Sequence, residues 1–190
     1  MGIYGTKATI RKALAVVAHP DDCIIFAKPF IEKYFFCNWK IVYLTYNKDD
    51  PRAVEIANYW KSGFGVKTAF LGFEDNAKDL ETDNLNFWTF YDAEKKLVEE
   101  VISFEPDIIL THNKEGEYGH IHHKIAHLAM NSVRTPKIYF SFNNSEFNKT
   151  HKAKKKVDLE VLPLHKSVIE GFDTTQAKYL ITPEAKYFIK

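Results

Sequence analysis

Two clusters of side chains in this chain have the composition of a metal-dependent hydrolytic site. The first is His19-Pro20-Asp21-Asp22, which follows directly on the apolar run Leu14–Ala18. Pro20 fixes one backbone dihedral and pushes His19 towards an extended conformation, so the chain turns sharply here. His19 and Asp22 are three apart and can face one point across such a turn, while Asp21 projects differently. An imidazole and a carboxylate suit zinc, and a further carboxylate beside a bound water suits a general base. The second cluster follows His112-Asn113, where Gly116-Glu117-Tyr118-Gly119 leads into His120, His122, His123 and His127. On a helix, His120 and His123 share a face, as do His123 and His127. His122, two positions from His120, should point away to the surface, and His127 should have a supporting or solvated role. Spacing leaves open whether His120 or His123 joins His19 and Asp22.

These clusters need elements that bring them together. Five nearly continuous apolar runs, Leu14–Ala18, Lys40–Tyr46, Thr68–Phe73, Asp107–Thr111 and Lys137–Phe142, read as strands buried on both faces of a parallel sheet. Helical spacing lies between them over Phe30–Phe36, Arg52–Phe64, Asp92–Phe104 and His120–Val133. Pro51 and Gly65 bracket the second helix. On the third, Leu97, Val98, Val101 and Ile102 form the apolar face. On the fourth it is Ile121, Ile125, Leu128 and Ala129. Strand–helix alternation predicts an α/β fold, three-layered and Rossmann-like, with a mostly parallel sheet of about five strands. In such a sheet ligands bind beyond the carboxyl ends of the strands, which is where both clusters fall. A last helix is expected over Leu159–Phe172, entered or interrupted at Pro163.

The bulk composition narrows the class. A chain of 190 residues with 45% hydrophobic and 15% aromatic residues can bury a core, and a single domain over 1–190 is expected. Within it, 1–12 reads as an N-terminal extension and 143–157 as a polar basic loop carrying Lys149, Lys152, Lys154, Lys155 and Lys156. A net charge of +1 gives no reason to expect nucleic acid as a partner. No apolar run approaches the ~20 residues needed to span a bilayer. Cys23 and Cys37 are too few for a disulfide framework, so a cytoplasmic location is expected. No glycine-rich fingerprint follows the first strand, which argues against a nicotinamide or flavin cofactor.

Ala18-His19-Pro20-Asp21-Asp22, paired with Gly119-His120-Ile121-His122-His123, resembles the PIG-L/LmbE family of zinc-dependent N-deacetylases. The likeness extends through Arg52-Ala53-Val54-Glu55, Gly65-Val66 and Leu71-Gly72-Phe73-Glu74-Asp75, covering roughly residues 13 to 130. The resemblance implies one zinc held by His19, Asp22 and His123, with Asp21 as general base. Another divalent transition metal, such as iron, would suit the same ligands. It further implies that His120 assists the leaving amine or the oxyanion, that Tyr118 contacts the tetrahedral intermediate, and that Arg52 binds the distal part of the substrate. The expected reaction removes the acetyl group of an N-acetylated sugar or glycoconjugate of the N-acetylglucosamine type. A non-sugar amide as substrate, or a non-catalytic sugar-binding or regulatory role on the same fold, are the alternatives. The departures are Cys23, where the family usually carries Glu, and Ile24-Ile25-Phe26-Ala27-Lys28-Pro29, where a glycine-rich stretch is usual. That bulkier segment is expected to line the site.

Overall fold

The computed structural model describes residues 9–75, 87–142, 162–170 and 177–187. Strand β1 (Lys12–Val17) passes through the turn His19–Asp22 into a π-helical turn, Cys23–Ala27, and then α1 (Lys28–Lys33). There follow β2 (Asn38–Thr45), α2 (Pro51–Phe64), β3 (Lys67–Phe73), α3 (Phe87–Phe104) and β4 (Ile108–Thr111). A short helical turn, α4 (Gly116–Gly119), leads into α5 (Ile121–Asn131). After β5 (Lys137–Phe142) come α6 (Lys166–Glu170) and β6 (Ala177–Ile181). The six strands lie in the order β3-β2-β1-β4-β5-β6. The first five are mutually parallel, and β6 pairs antiparallel with β5.

The continuous apolar runs are explained by layers on both faces of this sheet. Along β1, Ala13, Ala15 and Val17 pack with the π turn, α1 and α2, while Leu14 and Val16 pack against α3 and α5. Every one of these β1 residues is fully buried. Helix α2 begins as its sequence signals: Asp50 accepts the Arg52 amide at 2.8 Å, Pro51 occupies the first turn, and Gly65 closes the helix at φ 66°. No helix among the described residues is long and apolar enough to cross a membrane.

Three expectations change. The apolar faces of α3 and α5 are rotated from those read off the spacing, with Ile102 and Leu128 exposed and Ala93, Ala126 and Met130 buried. The expected helix over Leu159–Phe172 is described only from Leu162 to Glu170, and of that stretch only Lys166–Glu170 is helical. The polar loop 143–157 and its lysines lie outside the described residues. Strand β6 was not anticipated, because a strand of only five residues is too short for its periodicity to betray it.

The segment after the paired aspartates goes inward. Cys23, Ile24, Ile25, Phe26 and Ala27 are all buried in the core, and of these Phe26 meets the site from beneath, edge-to-face with His112 and His123 at centroid distances of 6.1 and 6.4 Å. Cys23 Sγ lies 3.0 Å from the Pro20 carbonyl, 2.9 Å from Tyr43 Oη and 2.9 Å from Trp60 Nε1. Burial pushes this thiol's pKa up, so it stays neutral and tethers the His19–Asp22 turn to β2 and α2. It is not placed to bind a metal. Cys23→Ala leaves a small void and buried donors on Tyr43 and Trp60 without a partner, at about 1–3 kcal/mol for each such group. We expect a clearly lowered thermal unfolding midpoint; an unchanged one would mean that the thiol bears no structural load.

Candidate metal and catalytic site

The order of strands reverses between β1 and β4, and the carboxyl ends of these two neighbours open a crevice. His19 follows β1 and His112 follows β4, so the topology alone places both clusters at one edge. The turn after β1 is closed by its own carboxylate: Asp22 Oδ2 accepts the His19 amide at 2.8 Å. The same oxygen lies 3.3 Å from His19 Nδ1, 3.3 Å from His123 Nε2 and 3.5 Å from His112 Nε2. Thus His19, Asp22 and His123 are brought together with the carboxylate between the two rings.

Helix α5 delivers His123 to this point, and a buried acid fixes how its ring is turned. Glu117 Oε2 lies 2.5 Å from His123 Nδ1 and 2.7 Å from His112 Nδ1, and Glu117 Oε1 accepts the Asn113 amide at 2.9 Å. The two imidazoles stack with centroids 3.8 Å apart. Burial would raise the Glu117 pKa, but the two histidines overcome this and hold it down, at about 2. Glu117 therefore accepts a proton-bearing nitrogen from each ring. His112 Nε2 accepts the Ala18 amide at 3.0 Å, so both nitrogens of that ring are engaged. His123 is different. Its Nε2 is, among the described residues, a buried nitrogen with no hydrogen-bond partner, and it faces an acidic oxygen.

The backbone pays for this arrangement in conformation. Glu117 sits at φ 58°, ψ −62°, which is unfavourable for a residue with a side chain. It is preceded by Gly116 at φ 66°, where an added Cβ would approach Lys124 Cγ to 3.1 Å and His123 Cβ to 3.4 Å.

Asp21 and Asp22 are adjacent in sequence but differ in electrostatic environment. Burial alone would raise Asp22, yet His123, His112 and His19 hold it well below the usual carboxylate range. Burial and the neighbouring Asp22 raise Asp21 instead. Asp21 Oδ1 is met by Arg52 Nη2 at 3.2 Å, and Arg52 Nη1 donates to Tyr46 Oη at 2.7 Å. Arg52 thus reaches the centre of the site and touches the acid expected to be the base. His120 caps α5, its Nδ1 accepting the His122 amide at 3.2 Å. Its ring centroid is 4.5 Å from that of His19 and 4.8 Å from that of His123. Burial and the surrounding histidines lower its pKa to about 3, leaving a neutral ring with Nε2–H to donate. Tyr118 is half exposed, with its ring 5.3 Å from His123 and 6.0 Å from His120.

Two expectations about histidines need correction or completion. His122 is buried, not at the surface, with its Nδ1 3.1 Å from His19 Nε2, because the cap at His120 starts the helix one residue later and turns this side inward. His127 is half-buried and supports the β4 loop, with Nδ1 3.0 Å from the His112 carbonyl. Sequence reasoning missed Glu117, His112 and Asp75. A carboxylate between two glycines, five residues after a histidine at a strand end, was the available signal for the first pair. Asp75 lies 3.3 Å from His19 Nε2 across a long sequence separation and left no local signal.

A zinc ion, or a similar divalent transition metal, fits these residues. His123 offers an unused buried lone pair, Asp22 an ionised oxygen 3.3 Å from it, and His19 a nitrogen at the same distance from that oxygen. Glu117 holding the opposite nitrogen of His123 is the arrangement that orients metal-binding histidines.

The chain is 27% identical over 157 residues to an uncharacterised protein of Acanthamoeba polyphaga mimivirus, covering 77% of this chain and 68% of that one. Among solved structures, it superposes on the 4-carboxy-2-hydroxymuconate hydratase GalB of Pseudomonas putida with TM-score 0.57 and 12% identity, covering 90% and 97% of the two chains. A deacetylase of the teicoplanin biosynthesis pathway gives TM-score 0.53 at 14% identity, covering 86% and 84%. A conserved protein from Thermus thermophilus gives 0.57 at 14% identity, covering 89% and 93%. At these identities the structures share the fold. The family described as GlcNAc-PI de-N-acetylase matches residues 14–133, which include every residue of the site above, and the chain belongs to that family.

Proposed function

We propose that this protein is a metal-dependent N-deacetylase that hydrolyses the acetamide of an N-acetylglucosamine-type sugar or glycoconjugate. The observation that carries this reading is the pairing of Asp22 with His19 and His123, the latter's Nε2 being buried and otherwise unpartnered. Those three residues would hold one zinc ion. When bound, it would polarise the acetyl carbonyl and make water more acidic.

The chain's own residues supply the rest. Asp21, raised in pKa, is the better proton acceptor of the two aspartates and takes the proton of the attacking water. Arg52 keeps it oriented through the 3.2 Å contact to Oδ1. Neutral His120 donates from Nε2 to the oxygen on which negative charge develops, and Tyr118 stands at the same mouth. Because His120 does not hold an extra proton, the proton for the departing amine comes from Asp21. Arg52, engaged inwards by Asp21 and Tyr46, approaches substrate only along its solvent-facing edge.

Metal content and turnover should separate the roles. The purified protein should carry one zinc per chain, and chelation should abolish acetate release until zinc is restored. Asp22→Ala should lose metal and activity together. Asp21→Asn should keep the metal and lose most hydrolysis, since an amide cannot take the proton; near-normal turnover at saturating zinc would overturn its role as base.

Removing one oxyanion donor costs on the order of a hundredfold in turnover. His120→Ala should show a loss of that size with zinc retained, and Tyr118→Phe a milder one. Loss of zinc from His120→Ala would instead make His120 the ligand. For the substrate, acetate release from free N-acetylglucosamine, a nucleotide-linked form and an N-acetyl amino acid should be compared. Preference for the amino acid would remove the sugar from the proposal and leave the metal chemistry standing.

A further inference from the structure

His19 has two ring nitrogens, and the site described above uses only Nδ1. Its Nε2 lies on the opposite side of the ring, 3.1 Å from His122 Nδ1 and 3.3 Å from Asp75 Oδ1. His122 Nδ1 and Asp75 Oδ1 are themselves 3.8 Å apart. A tetrahedral ion with bonds of about 2.0–2.2 Å sets its ligand atoms roughly 3.3–3.6 Å from one another. The three observed separations bracket that value. A triangle with these sides has a point about 2.0 Å from all three corners, a zinc–nitrogen or zinc–oxygen bond length.

We propose that His19 Nε2, His122 Nδ1 and Asp75 Oδ1 form a second, outer site for a divalent transition metal, and that its occupancy inhibits the enzyme. This rests on the reading of His19, Asp22 and His123 as the inner metal site. Two imidazole nitrogens and one carboxylate favour zinc-like ions over magnesium or calcium, which prefer oxygen shells. The outer set is also reachable. His19 and His122 form its buried floor, whereas the Asp75 side chain is one-third exposed, leaving the solvent side for water as a fourth ligand.

Binding there is weaker than at the inner site because the Asp75 side chain, unlike that of buried Asp22, is one-third exposed, so water screens its carboxylate and competes with the ion for it. The inhibition follows from what Asp75 otherwise holds. Its Oδ2 accepts from Tyr46 Oη at 2.9 Å, Tyr46 accepts from Arg52, and Arg52 meets Asp21. A cation on Asp75 competes with this chain for the carboxylate. It also puts positive charge beside Arg52, displacing the group that orients the base.

The test is a zinc titration of protein already loaded with one equivalent. Free zinc is followed by a competing chromophoric chelator, and acetate release is followed in parallel. We expect a second, weaker equivalent to bind, with turnover falling roughly tenfold or more as it fills. His122→Gln and Asp75→Asn should each keep the first equivalent and lose the second. Asp75→Asn, at a partly exposed position, guards against a folding failure at buried His122. Binding of a single equivalent at every zinc concentration would overturn the site, as would a second equivalent that both variants retain. If two equivalents bind and the variants lose one, but no acetamide is hydrolysed, the outer site stands and the deacetylase reading falls.

Discussion

The buried carboxylate of Glu117 is the constraint on which the site depends. A charge taken out of water is costly unless it is paired and hydrogen-bonded. Here it receives His112, His123 and the Asn113 amide at once. Those partners belong to the loop after β4 and to α5, so one side chain locks two elements into a single geometry. It also decides chemistry. By taking the proton-bearing nitrogen of each ring it leaves Nε2 of His112 to the Ala18 amide and Nε2 of His123 to the Asp22 side. The left-handed backbone at Glu117 persists because this network over-determines it.

Around that lock, the paired aspartates acquire opposite characters without differing in type. Asp22 lies among three imidazoles and remains an anion. Asp21 lies beside Asp22 and is deprived of water, and the positive charge of His19 and Arg52 does not offset this, so its affinity for a proton rises. Environments that push two titratable groups apart divide the labour of an acid–base reaction between them. Beneath both, the neutral Cys23–Tyr43–Trp60 cluster anchors the turn without adding a charge that would disturb this division.

The fold by itself is compatible with more than one reaction. The same chain trace is shared by a hydratase and by a deacetylase of known structure, each at low identity. Reaction class is therefore read from the side chains at the switch point and from the family to which residues 14–133 belong. His19 stands at the centre of that set, since its Nδ1 lies near Asp22 and its Nε2 near His122 and Asp75.

Much of this was determined by local sequence. The buried strands were legible because a strand covered on both faces must be apolar throughout, and α2 was legible because Asp50, Pro51 and Gly65 mark its ends. His19-Pro20-Asp21-Asp22 and the histidines after Gly119 were legible as a site because their types and their place after strands are local facts. What the sequence did not carry were contacts between distant segments. The inward turn of His122 depended on where His120 caps α5. The approach of Asp75 to His19 and of Arg52 to Asp21 depended on β3 and α2 being packed beside β1. The grip of Glu117 on two rings depended on a loop conformation that no periodicity encodes. Composition and spacing fix which groups are available and which elements bear them. Which nitrogen faces which oxygen, and hence which groups bind and which move protons, is decided only when the layers close and water is excluded.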